Sequence, residues 1–160
     1  MKKSVAENIV GILSGVFPDK PALVYKTPYQ LLVAVILSAQ CTDERVNKVT
    51  EKLFADYGTP EKMLGLDEKT LEKYIFSCGL YKTKAQHILS ATRDVIEKYG
   101  GNVPDNSEEL KTLAGVGRKT ANVVYAVAFG GNAIAVDTHV FRVANRTGLA
   151  VGKNVLAVEN

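Results

Sequence analysis

Two residues in the last third of the chain could act on an electrophilic carbon. Lys119 follows Arg118 at the predicted start of a helix, where the helix dipole and the neighbouring guanidinium both disfavour the ammonium form. Partial burial would add to this effect, and an amine with a lowered pKa can attack such a carbon and form a Schiff base. Asp137 follows an apolar stretch at another predicted helix start, which favours an ionised carboxylate. Taken alone, Asp137 is better explained as a plain N-cap.

A Gly-Val-Gly turn separates two predicted helices and could bind an anion. Its glycines can adopt conformations closed to other residues and let a ligand approach the backbone, while its valine is expected to point inward and anchor the turn. The N–H groups that begin the next helix point outward with the positive end of the dipole, which suits a phosphate. The alternative is an ordinary helix corner that needs glycine only to turn. The candidate binding residues here are Gly115, Val116, Gly117, Arg118 and Thr120.

Positive charge is concentrated near the C-terminus. Residues 1–110 hold 14 Lys or Arg and 15 Asp or Glu, whereas residues 111–160 hold 6 and 2. Such a local excess predicts a basic face that binds phosphates, the alternative being a solvated helix face. The basic residues concerned are Lys111, Arg118, Lys119, Arg142, Arg146 and Lys153.

The cysteines and the apolar runs limit the class of protein. Cys41 and Cys78 lack the spacing of metal ligands and are interpreted as reduced thiols, so these two residues alone predict no metal site. The longest apolar run, Leu31–Leu37, is far shorter than the ~20 residues that span a bilayer. We therefore expect a soluble, cytoplasmic protein with no membrane partner.

Helix signals cover most of the chain, and strand alternation is absent, so the predicted fold is all-α with about nine short helices. Ser4 and Glu7 form a predicted capping box. Thr27-Pro28 and Thr59-Pro60 each place an N-cap residue and a first-position proline at a predicted helix start. The helix at 28–38 is apolar on most sides and should be central and buried. The predicted helices are Ser4–Phe17, Pro28–Ser38, Asp43–Tyr57, Pro60–Leu64, Glu68–Phe76, Thr83–Tyr99, Ser107–Leu113, Arg118–Phe129 and Thr138–Arg146. A further helix begins at Asn154 and the sequence stops at Asn160, which favours a truncated chain.

Four segments together resemble a known family. Residues 113–124 read LAGVGRKTANVV and residues 136–143 read VDTHVFRV, while 37–43 read LSAQCTD and 79–85 read GLYKTKA. In this combination they resemble the helix-hairpin-helix DNA glycosylases, specifically the endonuclease III-like members. One departure is Ala114, where the family often has proline.

The resemblance implies a role for each candidate residue. Lys119 is the amine nucleophile at the sugar C1′, and Asp137 stabilises oxocarbenium-like charge. The hairpin residues grip a phosphate. Gln40 enters the space left by a flipped base, and Leu80 wedges into the duplex. From the residues alone, Gln40 would be a polar helix end and Leu80 a core leucine.

The same resemblance implies an activity, partners and an organisation. The expected protein is a base-excision DNA glycosylase and AP lyase that removes an oxidised pyrimidine and nicks the strand by β-elimination. Its partner would be damaged or abasic duplex DNA, and it would be a nucleoid-associated monomer. Residues 20–131 would form a helical-bundle domain with the hairpin, and 1–19 with 132–160 would belong to a second helical domain whose C-terminal part is absent. A 4Fe-4S cluster is expected in full-length members, with ligands C-terminal to Asn160.

Two other functions stay open on the sequence. Helix-hairpin-helix elements also occur in DNA-binding modules without catalytic activity, although the pairing of Lys119 with Asp137 argues against that alternative. A mismatch-specific or purine-specific glycosylase of the same fold is the second alternative, because the base pocket cannot be read from the sequence.

Overall fold

Every regular element of the protein is a helix, in a computed structural model that describes residues 1–160. This confirms the all-α prediction. The α-helices are α1 Lys3–Val16, α2 Pro28–Ser38, α3 Asp43–Tyr57, α4 Pro60–Met63, α5 Glu68–Ile75, α6 Tyr81–Tyr99, α7 Ser107–Leu110, α8 Arg118–Phe129, α9 Thr138–Thr147 and α10 Val155–Glu159, with one 3₁₀ helix at Phe76–Cys78.

The helices belong to two compact units. The larger unit is Ala22–Ala133 and contains α2 to α8, and the smaller unit is formed by Met1–Pro21 with Ile134–Asn160. Each unit has its own cluster of buried apolar side chains.

Helix α2 is the centre of the larger unit. All nine residues from Tyr29 to Leu37 are buried, and the helix packs against α3, α6 and α8. Its start is set by Thr27, whose hydroxyl accepts from the Gln30 N–H at 3.2 Å, and by Pro28 at the first helical position. The prediction of a buried central helix is therefore confirmed.

Helix α6 is the longest helix and packs alongside α2. Near its middle, the Thr92 hydroxyl lies 2.7 Å from the Tyr29 hydroxyl and donates to the Ile88 carbonyl at 2.6 Å. The helix begins at Tyr81 rather than at the predicted Thr83. The reason is that Leu80 enters the helix through a left-handed backbone conformation, without the side-chain cap by which sequence patterns locate helix starts.

The smaller unit is held by α9 and α10. Asn154 caps α10 by accepting from the Ala157 N–H at 2.9 Å, and Val136, Ala144 and Val158 are buried together. Helix α1 has no buried residue and no side-chain cap. The predicted capping box is wrong, because the helix starts at Lys3 and Ser4 already lies inside its first turn.

Candidate nucleic-acid interface and active site

The predicted hairpin is present between α7 and α8. Helix α7 is shorter than predicted, ending at Leu110, and the chain continues in turns whose N–H groups bond three residues back, at Leu113 and again at Val116. The Val116 side chain is buried in the core of the larger unit, as predicted, so it anchors the turn. The two glycines on either side of it are exposed.

The two glycines serve different purposes. Gly115 has a φ of +74°, and a Cβ built there would lie 2.8 Å from the Cβ of His87 on α6. Backbone conformation and close packing therefore both require glycine at 115. Gly117 has a φ of −86° and an extended backbone, so the expectation of a glycine-only conformation is wrong at this position. A Cβ there would meet nothing within 4 Å, which leaves its backbone open to an approaching group.

Lys119 lies in the first turn of α8 and is exposed rather than partly buried. The helix start itself is unusual. Gly117 is its N-cap residue and supplies no side-chain hydrogen bond, and the first turn contains no acidic residue. By contrast, α7 is capped by Asn106, which accepts from the Glu109 N–H at 2.8 Å. The positive end of the α8 dipole thus coincides with Arg118 and Lys119, a place suited to an external anion.

Asp137 is the N-cap of α9 in the smaller unit. Its Oδ1 accepts from the N–H of His139 at 2.9 Å and from the N–H of Val140 at 2.8 Å. Asp137 therefore does cap α9, as the alternative interpretation holds, but this does not exclude a catalytic role for its carboxylate. Two donated hydrogen bonds orient the carboxylate at the helix N-terminus, and a carboxylate so held can stabilise a developing cation.

Gln40 and Leu80 share a rare backbone conformation. Of all non-glycine residues, only these two have a positive φ, +53° and +47° respectively. Both are exposed, Leu80 by 60%, so the alternative that Leu80 packs in the core is wrong. A left-handed non-glycine residue costs on the order of 1–3 kcal/mol, and such strain concentrates at functional positions.

Lys84 is a residue whose importance the sequence reasoning missed. It is one of the few buried charged side chains, 4% exposed, and its ammonium contacts three backbone carbonyls near Gln40 and Leu80. Its position held a signal. Lys84 precedes Ala85 and lies four residues before Ile88, which places it on the buried face of an amphipathic helix.

The residues present do not fit an iron–sulfur cluster. Cys78 is buried and Cys41 half-buried, both as free thiols, and burial together with the adjacent Cys41 raises the pKa of Cys78 to about 11. Cluster ligands are thiolates, usually four, and no group of three or more His, Cys, Asp or Glu side chains is arranged to hold a metal ion.

The basic residues of the last third are divided between the two units. Lys111, Arg118 and Lys119 belong to the larger unit, and Lys111 pairs with Glu108 at 2.6 Å. Arg142, Arg146 and Lys153 are exposed on the smaller unit. A single basic face made from all six stays a prediction.

The all-helical fold, the glycine hairpin and the lysine behind it define a class of DNA repair protein. The family model for the HhH-GPD superfamily of base excision DNA repair proteins matches residues 33–159. The chain belongs to this superfamily. None of its helices combines the length and apolarity needed to cross a membrane.

Within the superfamily the chain is similar to endonuclease III. It is 57% identical over 137 residues to endonuclease III of Haemophilus influenzae, and 51% identical over 161 residues to that of Rickettsia conorii. The match spans 86% and 100% of this chain, but 65% of the first relative and 77% of the second.

Solved structures give the same result. A non-covalent endonuclease III–DNA complex matches with a TM-score of 0.89 and 47% identity, covering 99% of this chain and 75% of that one. A trapped endonuclease III–DNA covalent intermediate, the estranged-adenine complex, matches with a TM-score of 0.89, 48% identity and coverages of 99% and 76%. A thermostable thymine-DNA glycosylase matches with a TM-score of 0.80, 27% identity and coverages of 98% and 82%.

Proposed function

We propose that this protein is a base-excision DNA glycosylase and AP lyase that acts on oxidised pyrimidines in duplex DNA. The observation that carries the proposal is the exposed Lys119 in the first turn of α8, directly behind the glycine hairpin. A chain of the same fold, 48% identical, forms a covalent intermediate with DNA, which supports an amine nucleophile here.

The hairpin would hold the duplex through its backbone. The exposed Gly117 leaves room for a phosphate oxygen against the main chain, and the positive end of the α8 dipole lies beside it. Contacts of this kind fix the register of DNA without reading its sequence. Arg118 and Thr120, in the same turn, would add side-chain contacts to the strand.

Gln40 and Leu80 would extrude the damaged nucleotide. A base inside a stacked duplex cannot be reached, so it must be rotated out at a cost of a few kcal/mol. Leu80 is an exposed apolar side chain that can enter between base pairs, and Gln40 offers an amide that can occupy the vacated position. Both residues also have the strained left-handed backbone that concentrates at functional positions.

Asp137 and Lys119 would then act in different steps of the reaction. As the bond from C1′ to the base breaks, its electrons leave with the base, and the ionised Asp137 stabilises the oxocarbenium-like sugar. The Nζ of Lys119, as the free amine, forms a bond to C1′, and the proton that it loses goes to the released base. Opening of the sugar ring breaks the bond from C1′ to O4′, O4′ takes a proton from water, and a protonated imine forms between Lys119 and C1′.

The imine makes strand cleavage possible. Loss of a proton from C2′ sends its electron pair toward the imine, and the bond from C3′ to the phosphate oxygen breaks. The phosphate leaves with that bond's electrons, and the strand is nicked 3′ to the lesion. Water then hydrolyses the conjugated imine and frees Lys119 for another cycle.

Three further expectations remain predictions. They are a nucleoid-associated cytoplasmic location, a monomeric state, and a 4Fe-4S cluster in longer family members with ligands C-terminal to the position of Asn160.

A substrate panel with borohydride trapping tests the proposal. Duplexes carrying thymine glycol, an abasic site, 8-oxoguanine or a G·T mismatch are incubated with the protein, with and without borohydride. We expect excision of thymine glycol and trapped adducts on thymine glycol and abasic duplexes. DNA binding without excision or adduct on any duplex would instead indicate a binding module.

The second substrate class is thymine in a G·T mismatch. A thymine-DNA glycosylase shares the fold at 27% identity, lower than the 47–48% identity to the endonuclease III structures. Preferential excision of thymine from the G·T duplex would select that alternative over oxidised pyrimidines.

Replacing Leu80 should separate activity from stability. Leu80→Ala should leave the melting temperature nearly unchanged, because surface substitutions stay within about 0.5 kcal/mol. Excision from duplex DNA should fall by at least about tenfold. Extruding a nucleotide costs a few kcal/mol, and a tenfold loss of rate corresponds to about 1.4 kcal/mol of that cost. Leu80→Gly should lose activity similarly while gaining stability, because glycine adopts the left-handed conformation without strain.

The control is Leu71→Ala in α5. Leu71 is fully buried, so this variant should lose about 2–5 kcal/mol of unfolding free energy. Thermal melts and duplex excision rates are measured on all three variants. A large drop in melting temperature for Leu80→Ala with unchanged excision would contradict the role as a wedge.

A further inference from the structure

The side chain of Lys84 ties together two separate segments of the larger unit. Its Nζ donates to the carbonyls of Leu37 at 2.9 Å, Ala39 at 2.7 Å and Cys78 at 2.9 Å. An ammonium has three N–H groups, and all three are used in this way. The carbonyls come from residues 47, 45 and 6 positions away in the sequence.

Each of these segments leads directly into a strained, exposed residue. Ala39 is the C-cap residue of α2 and immediately precedes Gln40. Cys78 ends the 3₁₀ helix and is followed by Gly79 and Leu80. Because one nitrogen contacts the carbonyls of Ala39 and Cys78, the two oxygens can be no farther apart than two hydrogen bonds laid end to end.

Core packing alone gives no reason for an ammonium at this position. The side chain is 4% exposed, and its helical neighbours Ala85 and Ile88 are fully buried and apolar. Burial lowers the pKa of Lys84, which is the usual cost of removing a cation from water. Backbone carbonyls at the end of α2 compensate that cost. The last carbonyls of a helix lack partners within the helix, and a cation at a helix C-terminus is favourable.

We propose that Lys84 is a positioning residue that fixes the Gln40 and Leu80 loops at one spacing, so that both side chains enter the duplex together. This inference rests on the proposed function. Lys84 does not itself touch the DNA. Without the ammonium, the two loops are no longer held at one spacing. Nucleotide extrusion is then lost, whereas the Lys119 amine remains intact.

The test compares two buried hydrogen bonds made by the same helix. Lys84→Met keeps an unbranched side chain of similar length and removes all three donated bonds. The matched control is Thr92→Val, which removes the buried bond to Tyr29 elsewhere between α6 and α2. Both variants leave a buried polar group without its partner, but only Lys84→Met affects the segments that carry Gln40 and Leu80.

Borohydride trapping is measured on two substrates, a duplex with an abasic site and a single strand with the same abasic site. The single strand needs no wedge, because its nucleotide is not paired. For Lys84→Met the ratio of the duplex rate to the single-strand rate should fall by about 10²-fold, the loss that a misplacement near 1 Å produces. The ratio should be unchanged for Thr92→Val, because a loss of folded protein lowers both rates equally.

Base extrusion is followed independently by the fluorescence of 2-aminopurine beside the lesion. The rise on binding should be lost in Lys84→Met and kept in Thr92→Val. If Lys84→Met does not fold, Lys84→Gln carries the same test, since its amide can still donate to two carbonyls and an intermediate ratio is expected.

The outcomes separate the two proposals. If the wild-type protein traps DNA and Lys84→Met or Lys84→Gln shows the wild-type ratio of rates, Lys84 is only structural and the inference is wrong. If the wild-type protein traps neither substrate, the proposed function fails, and the inference fails with it.

Discussion

Lys119→Gln should form no borohydride-trapped adduct with any substrate. The substitution removes the only atom proposed to bond to C1′, so the loss should be complete within detection rather than partial. Binding to a lesion duplex should persist, because the backbone of Gly115–Gly117 and the α8 dipole remain. Trapping is read on denaturing gels, and binding by fluorescence anisotropy at one fixed salt concentration.

Lys82→Gln is the matched control for that result. Lys82 is an exposed lysine in the first turn of α6, close in sequence to the proposed wedge, and the substitution changes charge and length identically. It should trap DNA as the wild type does. An adduct that survives in Lys119→Gln and disappears in Lys82→Gln would mean that the nucleophile has been assigned to the wrong lysine.

Asp137→Asn should lose base excision by about 10²–10³-fold, the effect of removing one electrostatic contributor to a transition state. Reaction at a preformed abasic site should suffer much less, because the bond from C1′ to the base is already broken there. The measurement compares single-turnover rates on thymine glycol and abasic duplexes. The helix should remain intact, because asparagine caps as well as aspartate and can still accept from the N–H groups of His139 and Val140.

Asp137→Ser provides the control for capping. Serine is also a good N-cap but has no carboxylate, so Asp137→Ser should melt near the wild type and excise as poorly as Asp137→Asn. Asp137→Ala should lose about 0.5–2 kcal/mol of stability in addition to activity. Wild-type excision by Asp137→Asn would leave Asp137 as nothing more than the cap of α9.

Several helices were predictable to the residue because their signals are local. Helices α2, α3 and α8 begin and end where the sequence pattern places them. A Thr or Gly just before the helix, Pro at its first position and Gly just after its end act through the backbone of neighbouring residues, so no distant contact is needed to interpret them. The burial of Val116 followed in the same way from its place between two glycines.

Two predictions made from local sequence signals, at the start of α1 and at Gly117, were wrong. Ser4 and Glu7 fit a capping box, but α1 starts one residue earlier and uses no side-chain cap. Gly117 adopts an extended backbone that any residue can have, so its role is to leave space rather than to turn the chain. By contrast, Gly115 needs glycine for a reason invisible in the sequence, since His87 of α6 lies against it.

By itself, the sequence predicted the all-helical fold, the hairpin and Lys119 as a candidate nucleophile, because residue type and adjacency carry those signals. Asp137 needed the family resemblance, because its place at a helix start predicts only an N-cap. Only the tertiary structure decided that Leu80 is exposed and that Lys84 is buried. Leucine is usually a core residue and lysine usually an exposed one, so composition predicts the reverse of both. For Lys84 the reversal depends on three carbonyls brought to one ammonium, two of them from more than forty residues away, and helical periodicity places Lys84 on a buried face without indicating those partners.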